Sequence, residues 1–297
     1  MTETPQTTQI PILVREILDE ATHHDGTPPV SDQALLAVGQ GRRQLVTQRD
    51  AVGIIGEGEV DLVVRPSARG EGIGKKLLHT LISGEDHPSE LRAWAHGENP
   101  TATALLRGAG FKPVRELLRL ALDPALLDQA IATARPMPSG FEVLPHTAGS
   151  DAQADDWVRV NAAAFASHPE QGLMTRADFD ALTREPWFAA DDLRLAYVTS
   201  GEHQGKLAGF AWVKTVRETD ATETELYVLG VDPTFSGIGL GAALLGETLR
   251  CMATHAPDRI TLYVDGDNTN AVALYVRAGF VIEQRSTQYL RPAAPPR

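Results

Sequence analysis

Cysteine is almost absent: Cys251 is the single thiol in 297 residues. No disulfide can form within the chain, so a reducing cytoplasm is the expected setting. Long apolar runs are missing as well. No stretch approaches the roughly 20 residues that span a bilayer, and the leading MTETPQTTQ lacks a positive-then-apolar signal pattern. Positive charge is scarce, with 27 Lys and Arg against 39 Asp and Glu and a net charge of −12. That balance repels a phosphate backbone and excludes nucleic acid as a general partner, although a local basic pocket for a small anion stays compatible. No His/Cys cluster has metal-ligand spacing, so no metal is expected. A protein that works without membrane or nucleic acid, as a monomer, is the expectation.

What is present is a phrase written twice. VRPSARGEGIGKKLL (64–78) and VDPTFSGIGLGAALL (231–245) superpose when Gly72 is set against Gly239. Each follows a β-rich run, EVDLVV (59–64) and ELYVLGV (225–231), and each leads into an apolar-periodic stretch, KKLLHTLI and AALLGETLRCM. Both copies therefore read strand, glycine loop, helix. Further on, LRAWAHGENPTATALLRGAGF (91–111) matches ITLYVDGDNTNAVALYVRAGF (260–280), and each half ends in a strand candidate, RELLRLAL and QRSTQYL. This internal repeat implies two homologous α/β domains, 1–135 and 141–297. The junction falls in ARPMPSG (134–140), where two prolines and a glycine interrupt a helical pattern. The tail RPAAPPR is expected to be loose.

The front of the first half looks short, with helices over 12–26 and in DQALLAVG. The second half is fuller: helices in DDWVRVNAAAF and TRADFDALTRE, then a β-hairpin of LRLAYVTS and KLAGFAWVKTV around SGEHQG.

A GxGxG loop lets the backbone approach a ligand closely, and the helix after it opens with unpaired N–H groups and a positive dipole end. Together these form a cradle for a pyrophosphate. On its own the pattern is equally a tight strand–helix turn. It is no P-loop, for GK[ST] is absent, and the spacing of a Rossmann fingerprint is wrong.

The two segments taken in order, VxPxxxGxGxG plus helix and then NxxAxxLYxxxGF, resemble the GNAT family of acetyl-CoA-dependent N-acetyltransferases across nearly the whole chain. The resemblance implies a central mixed β-sheet flanked by helices in each half, with acetyl-CoA as co-substrate. It places the co-substrate in the second half against Leu229, Gly230, Val231, Ser236, Gly237, Ile238, Gly239, Leu240, Gly241, Asn268, Asn270 and Ala271. In the first half the matching positions are Leu62, Val63, Val64, Arg69, Gly70, Glu71, Gly72, Ile73 and Gly74. Ser236 departs from the usual basic or amide residue before the glycines.

The copies differ where the chemistry lies. Forming an amide from a thioester requires a group to take the amine proton, a donor for the oxyanion and a proton for the leaving thiolate. Tyr275 stands at the family's acid position, where the first half has Leu106. Glu225 heads the strand ELYVLGV and shares a face with residues 227 and 229, so it is the candidate base; Gly58 stands at the matching place in the first half. Gly230 within an apolar strand points to a bulge or splay that frees a main-chain N–H, that of Val231 or a neighbour, for the thioester carbonyl. The plainer alternatives are packing for Tyr275 and Gly230 and a solvated strand-end charge for Glu225. The second half is thus expected to be catalytic and the first degenerate.

The tandem layout, with DGTPPVSDQ (25–33), FASHPEQG (165–172), EPWF (185–188), GFAWVKT (209–215) and YVLGVDP (227–233), is similar to the mycothiol synthase family of actinobacteria. That resemblance implies a small thiol-sugar acceptor, contacted by Asp25, Glu170, Lys214, Glu225 and Tyr263 in a cleft between the halves. Read without it, Asp25-Gly26 is a turn signal, Glu170 a loop charge, Lys214 a strand charge and His168 a surface residue. Cys251 in a helix pattern is packed rather than nucleophilic. Acetylation of another small amine, and a binding module without turnover, remain as rival readings.

Overall fold

The computed structural model describes residues 10–83, 90–166, 168 and 171–293. They form two compact units. The first takes the chain up to Leu118 with Asp265–Asp267 and the end from Gln284; the second takes Arg119–Val264 and Asn268–Glu283.

The first unit opens with helices α1 (Ile12–Asp25) and α2 (Asp32–Gly39). Gly26, with φ 67°, ends α1 by donating its N–H to Thr22 O, the left-handed stop that glycine accepts without penalty. An antiparallel meander follows: β1 (Gln44–Gln48), β2 (Ala51–Gly56) and β3 (Glu59–Val64). Then come α3 (Ile73–Ile82), β4 (Leu91–Ala95) and α4 (Pro100–Gly108). Period-two alternation sorts β2 onto two faces: Val52 and Ile54 pack on α1 and α2, while Ala51 and Ile55 join the α3 and α4 side chains. The antiparallel neighbour of β4 is the end of β11 (Val281–Arg291), in register from Leu91–Arg291 to Ala95–Thr287. The end of β11 therefore completes the first unit.

In the second unit, β6 (Phe141–Pro145), β7 (Leu193–Val198), β8 (Leu207–Arg217) and β9 (Thr222–Val231) are antiparallel in that order, and β10 (Arg259–Asp265) joins β9 in parallel. Helices α6 (Asp151–Ala164) and α7 (Arg176–Leu182) cover one face around Trp157, Phe179, Phe210 and Trp212. Helix α8 (Leu240–Ala253) covers the other through Leu240 and Leu244. Strand β5 (Lys112–Leu122) begins in the first unit and ends in the second, followed there by α5 (Leu127–Ala132); α9 (Thr269–Arg277) precedes β11.

Two expectations are revised. The front of the first unit is not short, because β1 and β2 turn through Arg49-Asp50 where no strand was foreseen. The division into units does not coincide with the repeats 1–135 and 141–297. Residues from Arg119 onward pack with the second unit, where α5 lies on α8 and Arg119 pairs with Glu223. No helix among the described residues is long and apolar enough to cross a membrane.

Candidate active site

Each glycine loop is built the same way. Gly70 and Gly72 in the first unit, and Gly237 and Gly239 in the second, have φ between 79° and 91°, a region that β-carbons exclude. Gly72 and Gly239 are the N-caps of α3 and α8, with no side chain capping either helix. The first-turn N–H groups of both helices thus open onto the loop. The two loops differ in their cation. Arg69 holds Asp25 in a bidentate pair, both N–O distances 2.7 Å, and donates from Nε to Val64 O at 3.1 Å. That guanidinium holds the Asp25 carboxyl below the usual range. Two residues assigned to separate sites from the sequence are therefore locked together.

Strand β9 creates the second unit's distinctive feature. Its register with β8 runs regularly from Val231–Gly209 to Val228–Trp212, then resumes at Leu226–Val213. Tyr227 is the extra residue of a β-bulge. The parallel register with β10 runs from Glu223–Arg259 to Leu226–Leu262 and reaches no further. The two strands thus part where the bulge re-aims β9. Asp232 donates its N–H to Ala208 O of the β8 side. Strand alternation then turns the N–H groups of Leu229 and Val231 toward the opened edge.

The bulge expected at Gly230 accordingly lies at Tyr227. Gly230 itself is regularly paired with Phe210, and a Cβ there would come within 2.9 Å of the Phe210 ring. Gly230→Ala should destabilise the protein by about 1–3 kcal/mol, as overpacking of a filled core does. A denaturant melt measures it, and unchanged stability would mean the Phe210 ring yields without cost.

On the α6–α7 face of β8, β9 and β10, several predicted residues meet. Lys214 and Glu225 are directly cross-strand. Lys214 Nζ lies 5.5 Å from the Trp187 ring and 5.9 Å from the Tyr227 ring. Tyr263 is pushed up to about 12, first by burial and then by the Glu225 charge. Around them stands a constellation that sequence reading missed. Arg119 donates to Glu223 at 2.9 Å and pairs with Glu283 at 3.1 Å, its guanidinium 6.0 Å from the Tyr263 ring centre. Thr261 Oγ1 also donates to Glu223, at 3.0 Å. The spacing of Glu223 and Glu225, two apart on one strand, was the available signal for a paired carboxylate face; Arg119 had none.

Tyr275 on α9 is buried, stacked edge-on to Phe280 at 6.1 Å, and burial pushes its phenol up to about 12. Leu106 holds an equally buried place on α4. Asn268 is the N-cap of α9, its side chain accepting from Ala271 N as Asn99 accepts from Ala102 N in α4. Gly58, the counterpart of Glu225 by sequence offset, sits with Glu57 at positive φ in the β2–β3 turn; the next residue, Glu59, opens β3 in register with Arg92 and pairs with Arg43 at 3.2 Å. Glu170 lies outside the described residues. Asn161 donates to Gln171 O at 2.6 Å and accepts from Gln171 Nε2 at 2.8 Å. His168 Nδ1 accepts from Gln171 N at 2.9 Å.

Cys251, Asp192 and His255 cluster beneath α8. Arg217 donates to His255 Nδ1 at 2.9 Å, so Nε2 carries the proton and donates to Asp192 at 2.7 Å. Burial pushes the Cys251 thiol up to about 12, and it donates to Asp192 at 3.2 Å. A protonated thiol is a poor nucleophile and a poor metal ligand.

The geometry can be set beside known proteins. A mycothiol acetyltransferase of Clavibacter michiganensis subsp. michiganensis is 41% identical over 295 residues, covering 95% of this chain and 92% of that one. The chain belongs to the mycothiol acetyltransferase family. Another member, from Kineococcus radiotolerans, is 43% identical over 250 residues, covering 84% of this chain and 77% of its own. The model of the Acetyltransferase (GNAT) family matches residues 158–280, from α6 through α9. The fold is that of a tandem GNAT protein from the clavulanic acid biosynthesis pathway, at TM-score 0.67 and 17% identity over 96% of each chain. This mycothiol acetyltransferase family member is an N-acetyltransferase, and GNAT enzymes draw the acetyl group from acetyl-CoA.

Proposed function

We propose that the protein acetylates the cysteinyl amine of cysteinyl-glucosaminyl-inositol, the last step of mycothiol biosynthesis. The observation that carries this reading is identity to mycothiol acetyltransferases along almost the full chain. The meeting of Lys214, Glu225 and Tyr263 on one face of the second unit supports it.

Acetyl-CoA supplies an activated thioester carbonyl. Its pyrophosphate would lie on the loop from Ser236 to Gly241 at the start of α8, with Leu229 and Val231 offering main-chain N–H groups where β9 leaves β10. Glu225 takes the proton from the acceptor ammonium, and the nitrogen attacks the carbonyl. The C–N bond forms, the nitrogen releases its second proton to water as the tetrahedral intermediate collapses, and the C–S bond breaks while the Tyr275 phenol donates a hydrogen bond to the departing sulfur, which is then protonated from solvent as CoA thiol. The first copy, 1–135, keeps the loop with Arg69 to Gly74 but has Gly58 and Leu106 at the sequence positions that match Glu225 and Tyr275. Trp187 and Tyr227, with ring centres 5.1 Å apart, give the acceptor face an apolar wall against which sugar carbons can lie.

The test is direct. Purified protein with acetyl-CoA and cysteinyl-glucosaminyl-inositol should yield one N-acetyl product by mass spectrometry, with stoichiometric release of CoA thiol. Turnover with aminoglycosides or polyamines but not with this acceptor would refute the assignment.

A further inference from the structure

The second glycine loop, PTFSGIGLG (233–241), contains no cation of its own. Ser236 stands where the first loop has Arg69. A pyrophosphate carries at least two negative charges, and the chain around it is acidic overall. Backbone N–H groups alone would have to bear that charge, unless a cation arrives from another part of the chain.

One does. After α5 the chain runs along α8. A Cβ built at Gly246 would lie 2.8 Å from Ala134 Cβ and 3.8 Å from Arg135 O. The bare surface at Gly246 is what allows this approach. Gly239 lies two helical turns earlier, on the same face of the helix. A Cβ built at Gly239 would lie 2.5 Å from Arg135 Nε and 2.7 Å from Arg135 Nη1. The main chain is thus pinned at Gly246, and the side chain reaches forward to the N-cap of α8. Its guanidinium lies against the left-handed glycine where the first-turn N–H groups open.

Arg135 is also uncommitted. It is exposed, and it has no ion pair or side-chain hydrogen bond among the described residues. Arg69, at the first loop, is by contrast held on both nitrogens by Asp25.

We propose that Arg135, from the segment joining the two repeats, is the pyrophosphate-binding cation of the second loop. This rests on the reading that the loop holds acetyl-CoA. A guanidinium presents a rigid fork of donors that matches two phosphate oxygens at once. At the N-cap of α8 that fork and the helix N–H groups address the same anion. The glycine loop supplies shape, and the linker supplies charge. Replacement of the motif's basic residue by Ser236 is thereby offset at a position that no loop motif would reveal.

The test compares donors with and without phosphates. CoA binding is measured by calorimetry on the full chain. KM is measured for acetyl-CoA and for acetyl-pantetheine, which ends before the pyrophosphate. Arg135→Ala should weaken CoA binding and raise KM for acetyl-CoA about ten- to a hundredfold, the scale of a lost charge-assisted hydrogen bond, with kcat little changed. KM for acetyl-pantetheine should be the same in both proteins. Arg135→Lys should recover part of the affinity, since it restores the charge without the fork. Equal CoA affinity in wild type and Arg135→Ala would overturn this proposal alone. So would an equal rise in KM for both donors, which marks a merely structural residue. Failure of wild type to bind CoA at all would bring down the reading of the loop, and this proposal with it.

Discussion

Glu225→Gln should lower kcat/KM at neutral pH by about 10² to 10⁴, the range for a lost general base, equivalent to about 3–5 kcal/mol of barrier. Glutamine keeps the shape beside Lys214 and Tyr263 but cannot take up the acceptor's proton. Acetyl-CoA affinity should be unchanged, because the loop at the start of α8 is built from other residues. The pH dependence gives the sharper reading. An α-amino group has a pKa of about 7.7–8.0, so at neutral pH most of the acceptor arrives as ammonium. On the proposed mechanism, Glu225 removes that proton. Without it, only acceptor already deprotonated can react, and the rate should climb with pH through the amine's own titration. The deficit of the variant should therefore shrink toward pH 9. A variant whose deficit is constant with pH would show that Glu225 binds the acceptor without deprotonating it.

Tyr275→Phe should lower kcat by about tenfold to a thousandfold with CoA binding retained, the scale of a lost general acid. The ring's edge-on contact with Phe280 survives the change, so stability should hold. With its pKa pushed up to about 12 by burial, the phenol stays protonated throughout the neutral range. It is thus always available as a donor, and no basic limb near neutrality can be its titration. The same shift makes full proton transfer to a thiolate costly, so on the proposed mechanism its contribution is a hydrogen bond that strengthens as charge grows on sulfur. An acetyl thioester of a more acidic thiol needs less of that help. The variant should lose less rate with such a donor than with acetyl-CoA. Unchanged turnover would place Tyr275 in packing alone, and an equal loss with both donors would show that it does not assist the departing sulfur.

Local signals carried the parts of this site that depend on local geometry. The glycines at 70, 72, 237 and 239 were legible because left-handed backbone has few other occupants, and the strand–loop–helix order was legible from the change of period at each loop. Lys214 and Glu225 lie on one face as strand alternation requires, although their direct pairing needed the hairpin register. The bulge at Tyr227 was invisible, because no glycine marks it and its cause is where β10 stops following β9. Gly230 drew attention for a different reason from the one it serves: the Phe210 ring lies where its side chain would be. The β1–β2 turn through Arg49-Asp50 lacks the Asn-Gly or Asp-Gly pair that usually announces a hairpin. Arg119 and Arg135 were missed for a common reason. Each acts across a long separation in sequence, on Glu223 and on Gly239, and no local pattern records such a contact.

The pairing of β4 with the end of β11 has a consequence for how the protein is made. The ribosome releases the first unit's helices and meander early, but the strand that closes its sheet emerges only after the strands β6 to β10 of the second unit. Until then β4 presents an unsatisfied edge, a template for wrong partners. The nascent chain must wait, guarded or fast, for β11, and a stop before that strand would harm the half that was translated first.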